Sequence, residues 1–402
     1  MFSQKRIVLG VSGGIAVYKA VELLRLLTKA GADVQVVMTR SAQEFVTPLT
    51  FQTLSGNPVH TELFNLYQEK EIGHISLADG ADLFIVAPAT ANILGKVACG
   101  IADDLLSTTL MATKAPVLFA PAMNVNMYEN PVVQHNLTQL RELGYHFVGP
   151  VTGELACGWQ GTGKLSSPEE IFSMAQALFA PKDLAGERLL ITAGPTREEL
   201  DPVRYISNYS SGKMGYALAR AAQQRGAEVY LISGPTALPV PPGVRRKSVV
   251  SALEMRDAVL AAMDYSSVVI KSAAVADYRP RQMATHKLKK TSDDMRVELE
   301  KNPDILAELG QVKQGRILVG FAAETRDLLA HAAEKLARKN LDLIVANDVT
   351  QQGAGFNVDT NIVKLLHADG TVETLPQLSK DEVAHQILDR VVRLLGQRPG
   401  QS

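Results

Sequence analysis

The segment RIVLGVSGGIAVYKAVELLRLLTKAGADVQVVMT, residues 6–39, decides the fold class. A short apolar strand, Ile7 to Leu9, runs into glycines and then into a helix with apolar residues along one face through Leu27. Gly31 ends that helix, and DVQVVMT supplies a second strand. A strand–helix–strand unit closes with a right-handed crossover, so its two strands lie parallel. The pattern restarts at Arg188: RLLITAGPT, a long polar loop, then GKMGYALARAAQQRGAEVYLIS. Between the two starts, SSPEEIFSMAQALFAPKDLAGE reads as one helix and a connection containing Pro and Gly. We place the boundary near residue 185, giving domains 1–185 and 186–402. The expected fold is α/β, each domain a Rossmann-like or flavodoxin-like doubly wound, mostly parallel sheet with flanking helices.

Composition narrows the function. A chain of 402 residues can bury two cores. A formal net charge of −1 makes no electrostatic case for nucleic acid or an anionic membrane surface. No apolar run has the length of a membrane span, and no secretory leader pattern is evident. The two cysteines, Cys99 and Cys157, lack the spacing of a disulfide scaffold or a zinc site. These features read as a soluble, cytoplasmic protein.

Further apolar runs end in small or polar residues: DLFIVAP, APVLFAP, SVVIKSA, RILVGFAAE and LDLIVANDV. In an open parallel sheet, ligands bind beyond the carboxyl ends of the strands. The loops PATAN, PAMN, SAAVADY and ANDV are therefore candidate site walls, or plain connections. GVSGGIA can turn backbone N–H groups toward a phosphate but is not GxGxxG. A dinucleotide site usually ends its second strand with an acidic residue. Here Thr39, Arg40 and Ser41 stand instead, which favours a mononucleotide. An NADP site using Arg40, and a simple helix cap by Ser41, stay open. His74 falls at the start of a short helix, as a cap, a surface residue or a base. Cys157, set among Gly153, Gly158, Gly161 and Gly163, reads as a mobile thiol, and Cys99 as core.

Longer motifs carry a resemblance. GHISLADGADLFIVAPATANILGKVACGIADDLLSTTLMA followed by PAMNVNMY resembles the homo-oligomeric flavin-containing cysteine decarboxylases. ISNYSSGKMG, SAAVADYRP, KLKK, KNPDIL, GFAAET and ARKNLDLIVANDV resemble phosphopantothenate–cysteine ligase. In this order in one chain, they are similar to the bacterial bifunctional coenzyme A biosynthesis family.

For the amino-terminal half the resemblance implies FMN-dependent decarboxylation of 4′-phosphopantothenoylcysteine to 4′-phosphopantetheine by way of a thioaldehyde. The flavin phosphate would sit near Gly13, Gly14 and Thr39, and the ring against Ala89, Thr90, Ala91, Asn92 and Ala122. His74 would be the base, Asn124 would bind the substrate carboxylate, and Cys157 would donate a proton from a flexible flap. Lys164 stands where the family flap usually has arginine nearby, and Tyr128 where tryptophan is frequent. Met123 and Met127 would pack around the site.

For the carboxyl-terminal half the resemblance implies a ligase that uses CTP and Mg²⁺. It would form an acyl-cytidylate of 4′-phosphopantothenate with release of pyrophosphate, after which cysteine displaces CMP. Ala273, Asp277, Lys287, Asn302, Pro303, Asp304, Ile305, Phe321, Lys335 and Lys339 match CTP-contacting positions. Asn208 matches the residue that handles the acyl-cytidylate. Without the family, these lysines read as solvated surface. No Mg²⁺ ligand set is legible. The resemblance also implies a homo-oligomer, with trimers of the first half often assembled into dodecamers and dimers of the second. The competing readings are an NADP-dependent oxidoreductase and an inactive flavin-binding regulatory protein.

Overall fold

A computed structural model describes residues 2, 4–63, 73–154, 158–289, 296–324, 328–348, 355 and 358–398. Two compact units divide the chain between Ala180 and Pro181.

The first unit contains β1 (Arg6–Val11), α1 (Val17–Lys29), β2 (Asp33–Met38), α2 (Arg40–Gln43), α3 (Pro48–Ser55), β3 (Val59–His60), α4 (Gly73–Asp79) and β4 (Leu83–Ala89). It continues with α5 (Ala91–Ala98), α6 (Leu105–Ala112), β5 (Val117–Pro121), α7 (Val125–Glu129), α8 (Pro131–Glu142) and β6 (His146–Phe147). A ribbon of β7 (Val151–Glu154) and β8 (Gln160–Lys164) and the helix α9 (Pro168–Phe179) complete it. The six-stranded sheet has the order β3-β2-β1-β4-β5-β6, and every pairing in it is parallel. Strand order reverses between β1 and β4, where an open α/β sheet forms its crevice. The β1 side chains alternate between two cores, with Ile7 and Leu9 in one and Val8 in the other. α1 turns Val17, Ala20, Leu24 and Leu27 inward at helical spacing. Each buried Leu stabilises by roughly 1.5–3 kcal/mol.

The second unit repeats the plan. Its elements are β9 (Arg188–Ala193), β10 (Arg197–Asp201), β11 (Arg204–Ser207), α10 (Lys213–Gln224), β12 (Glu228–Ser233), β13 (Arg245–Ser248), α11 (Ala252–Met263) and β14 (Val268–Lys271). Then follow β15 (Tyr278–Pro280), β16 (Leu299–Lys301), α12 (Ile305–Gln311), β17 (Ile317–Glu324), α13 (Leu328–Arg338) and β18 (Leu343–Asp348). The chain closes with β19 (Thr360–Asn361), β20 (Val363–His367), β21 (Val372–Thr374), β22 (Leu378–Ser379) and α14 (Lys380–Gly396). The eight-stranded sheet runs β13-β12-β9-β14-β17-β18-β20-β21. Its first six strands are parallel and reproduce the order of the first unit, with the reversal between β9 and β14. β20 and β21 are antiparallel additions, so this sheet is mixed.

Two readings of the sequence change here. The long polar loop after Arg188 contains an antiparallel hairpin, β10–β11, whose largely polar residues hide its strand character. Cys99 is exposed, not core. It ends α5 as the C-cap, its amide bonded to the Gly95 carbonyl, so its side chain lies beyond the buried face of Ile93, Leu94 and Val97. Among the described residues, no helix is long and apolar enough to cross a membrane.

Candidate active sites

In the first unit, loops beyond the carboxyl ends of β1, β2, β4 and β5 surround a cavity of about 990 Å³. Gly13, Gly14, Thr39, Thr90, Ala91, Asn92, Ala122 and Asn124 all line it, as do Met123 and Met127. Gly13 lies so close to α2 that a Cβ there would sit 2.4 Å from the Ser41 Cβ. The amides of Gly13 and Gly14 donate to no protein group among the described residues, which leaves them open to an anion. Thr39, not Ser41, caps α2: its Oγ1 accepts the Ala42 amide at 3.3 Å. Ser41 is thereby left facing the cavity beside Arg40. These open amides and hydroxyls fit a terminal phosphate.

Ser12 ties the two loops of the crevice together. Its hydroxyl donates to the Pro88 carbonyl at 2.7 Å and accepts the Thr90 amide at 3.0 Å. Thr90 in turn caps α5. Ala89 is fully buried in β4 and is not a lining residue; its carbonyl accepts the Ala122 amide at 3.0 Å, which fixes the loop after β5. Asn124 caps α7 through Oδ1, which accepts the Asn126 amide at 2.8 Å. His74 is the second residue of α4 and does not line the cavity. Its Nδ1 is buried and has no hydrogen-bond partner among the described residues. Cys157 lies outside the described residues.

Residues 151–154 and 160–164, on either side of the undescribed residues, pair as the antiparallel ribbon β7–β8. Gly163 presses its backbone onto the loop after β5, and its carbonyl accepts the Met123 amide at 2.9 Å. Lys164 follows and lines the cavity, as does Lys19, whose ammonium donates to the Leu165 carbonyl at 3.2 Å. Burial, and then the nearby Lys164 charge, lower the Lys19 pKa. Lys96 also lines the cavity but is held by Asp103 at 2.6 Å and Asp104 at 2.7 Å. The sequence reading passed over Ser12, Lys19 and Lys96. Only their spacing from the glycine loop and from PATAN could have flagged them.

In the second unit, Asn208, Ala273, Asp277 and Asn302 are joined through the loop after β14, and Asp304 and Lys339 pair with each other near the end of β14. The Ala273 amide donates to Thr192 Oγ1 at 3.1 Å. Asn208, exposed just past β11, donates from Nδ2 to the Ala274 and Val275 carbonyls at 3.2 Å each. Asn302 is buried; its amide donates to the Asp277 carbonyl at 2.8 Å, and its Nδ2 to the Ala276 carbonyl at 2.8 Å. Pro303 follows, and Asp304 caps α12 ahead of buried Ile305. Lys339, one turn past Lys335, reaches Asp304 at 2.8 Å. Burial raises the Asp304 carboxyl, but the Lys339 hydrogen bond, the Ala307 amide and the Lys339 and Lys271 charges together outweigh it, so its pKa falls below the usual value. Phe321 packs partly buried against the core on the opposite face. Lys287 is exposed.

One residue here escaped the sequence reading. Lys271 ends β14 on the face shared with Val269, which packs with α11, α12 and α13. Burial, and then Lys339, push its pKa down to about 8, against the opposing pull of Asp304 and Asp277. A lone lysine in SVVIKSA carries no sequence signal of this. Among the described residues, no group of three or more His, Cys, Asp or Glu side chains could hold a metal ion.

Two successive doubly wound units, each with polar loops at its switch point, define a two-domain α/β protein of the architecture that places ligands beyond the carboxyl ends of its strands. Comparison with known proteins narrows that class. Residues 1–180 match the model of the Flavoprotein family, and residues 184–395 that of the DNA/pantothenate metabolism flavoprotein C-terminal domain. The coenzyme A biosynthesis bifunctional protein CoaBC of Bacillus subtilis is 53% identical over 98% of each chain. That of Escherichia coli is 50% identical over 96% of this chain and 97% of its own. The crystal structure of the C-terminal domain of a CoaBC protein is 47% identical, covering 54% of this chain and 98% of that one, with a TM-score of 0.47. The chain belongs to the family of bifunctional coenzyme A biosynthesis proteins. It is an enzyme that joins a flavoprotein decarboxylase to a ligase.

Proposed function

We propose that the carboxyl-terminal half uses CTP and Mg²⁺ to activate 4′-phosphopantothenate as an acyl-cytidylate, which cysteine attacks. The amino-terminal half then decarboxylates the resulting 4′-phosphopantothenoylcysteine to 4′-phosphopantetheine with FMN. The observation that carries this reading is the cavity at the β1/β4 switch point, with open glycine amides at one wall and Asn124 at another. Gly13, Gly14, Thr39 and Ser41 would hold the FMN phosphate, and Thr90, Ala91, Asn92 and Ala122 would flank the ring. FMN bound there would supply a reversible two-electron oxidation of the thiol carbon, giving the substrate a thioaldehyde that can take the electron pair left by CO₂. Asn124 would orient the substrate carboxylate, and the β7–β8 ribbon would close over it to exclude water. His74 as base and Cys157 as proton donor follow from the family pattern.

Self-association of the first unit accords with His74 lying off the cavity wall and with the exposed Ile15, Tyr18 and Met127 that line it. In the second unit, Lys287, Lys335 and Lys339 would meet the nucleotide, and Asn208 the acyl-cytidylate. Mg²⁺ would rest chiefly on the triphosphate. The comparisons do not favour an NADP oxidoreductase or an inactive regulator. The test is mass spectrometry after incubation with 4′-phosphopantothenate, cysteine, CTP and Mg²⁺. Formation of 4′-phosphopantetheine supports both halves, and folded, flavin-loaded protein that forms neither it nor 4′-phosphopantothenoylcysteine overturns the reading.

A further inference from the structure

We propose that Asp201 is a positioning residue for the carboxyl-terminal site: its Oδ2 moors the segment carrying Lys287 to the β10–β11 hairpin that leads into Asn208. The inference rests on the ligase reading above.

Asp201 is only 1% exposed, and its two carboxylate oxygens have separate tasks. Oδ1 closes the hairpin turn, accepting the amides of Val203 and Arg204 at 2.8 Å each. Oδ2 accepts Arg204 Nε at 3.0 Å and Nη2 at 2.6 Å, and also the amide of Leu288 at 3.1 Å, 87 residues along the chain. Arg204 Nη2 donates as well to the Leu288 carbonyl at 2.7 Å. Both main-chain groups of Leu288 are therefore spent on one ion pair. Ala284 adds a second tie, its amide donating to the Leu200 carbonyl at 3.0 Å.

Lys287 is exposed, so side-chain packing does little to aim its ammonium, and the backbone anchor next to it sets the position. A turn needs only Oδ1. Oδ2 holds Arg204 of the same hairpin and, with it, the remote Leu288, and a buried carboxylate oxygen left unpaired is costly. The same hairpin exits into Asn208, which is tied to the loop after β14. The residues assigned to the two half-reactions thus share one platform, and Asp201 is its joint.

Asp201→Asn separates the two tasks. Its amide oxygen can keep the turn at the Oδ1 position, while an NH₂ group at the Oδ2 position cannot accept from Leu288 or Arg204. The measurement is steady-state pyrophosphate release by the full chain with 4′-phosphopantothenate, cysteine, CTP and Mg²⁺, across CTP concentrations. We expect the KM for CTP to rise at least about tenfold, because a misplaced contact is lost from binding and from orientation alike. Decarboxylation of supplied 4′-phosphopantothenoylcysteine by the same protein stays at the parent rate. Arg204→Lys, which keeps the carboxylate on the Leu288 amide but loses the fork, shifts KM in the same direction by less. An Asp201→Asn protein with the parent's CTP dependence overturns the proposal. If that variant does not fold, an unchanged KM in Arg204→Lys overturns it instead. A parent that releases no pyrophosphate overturns the ligase reading itself.

Discussion

Gly163 and Met123 meet backbone to backbone: the Met123 amide donates to the Gly163 carbonyl at 2.9 Å, and a Cβ on Gly163 would lie 2.3 Å from the Met123 carbonyl oxygen. The root of the β7–β8 ribbon is thus seated on the loop that carries Asn124. Gly163→Ala must push the ribbon off that seat, since the clashing atom is main chain. Displacement of about 1 Å at a catalytic contact can cost on the order of 10²-fold in rate. We expect CO₂ release from 4′-phosphopantothenoylcysteine to fall by that order while CTP-dependent ligation is retained. Decarboxylation at the parent rate would show that the ribbon's seat is irrelevant to the reaction.

Ser12 joins the glycine loop to PATAN through Pro88 and Thr90. Ser12→Ala removes a donor and an acceptor at once and leaves the Thr90 amide without that partner, a cost of roughly 1–2 kcal/mol. That loss loosens both walls of the proposed flavin site. Flavin affinity should fall about tenfold, read from quenching of flavin fluorescence on titration into apoprotein. Equal affinity in parent and variant would place the flavin away from this crevice.

The two βαβ starts were legible because apolar period and glycine punctuation change together at Leu9–Ser12 and at Ala193–Thr196. The shared strand order was not, since pairing of β1 with β4 and of β9 with β14 depends on long-range packing that no local period encodes. Among the candidate site residues, those on loops after strands were singled out through long motifs. Ser12 was passed over because one serine beside two glycines looks like any turn. Asp201 was hidden differently: REELDPVRYIS has no apolar face to announce a hairpin, and its key contact lies at Leu288. Lys271 drew no reading of its own within SVVIKSA, because its environment arises only when Asp304 and Lys339 pack near the end of β14.

Arg225 is a buried cationic anchor of the second unit, at 2% exposure. Nε and Nη2 fork onto Asp183 at 2.8 and 2.6 Å, and Nη1 reaches Asp389 at 2.7 Å. These bonds pin the start of the unit and α14 to the end of α10. Arg225→Met strands two partly exposed carboxylates and should destabilise by about 2–3 kcal/mol, the range for hydrogen bonds to charged groups. Arg225→Lys should recover less than half of that, because one ammonium cannot serve both carboxylates with fork geometry. Urea unfolding followed by circular dichroism measures both.

Lys271 makes stability depend on pH in a direction opposite to a salt-bridged lysine. Its folded pKa of about 8 lies below the ordinary lysine value of 10.5, so the folded chain binds fewer protons than the unfolded chain between those values. Stability from this group therefore rises with pH across that window, and the penalty for burying the ammonium is fully present below pH 8. Lys271→Met should raise the apoprotein's thermal midpoint at pH 7 and flatten its dependence between pH 8 and 10. A triphosphate bound at the neighbouring Asp304–Lys339 site would reverse the balance by giving the ammonium an anion. Saturating CTP should then stabilise the parent more than the variant at pH 7. A variant that is less stable without ligand would mean that Lys271 is an ordinary packing residue whose alkyl chain outweighs its charge.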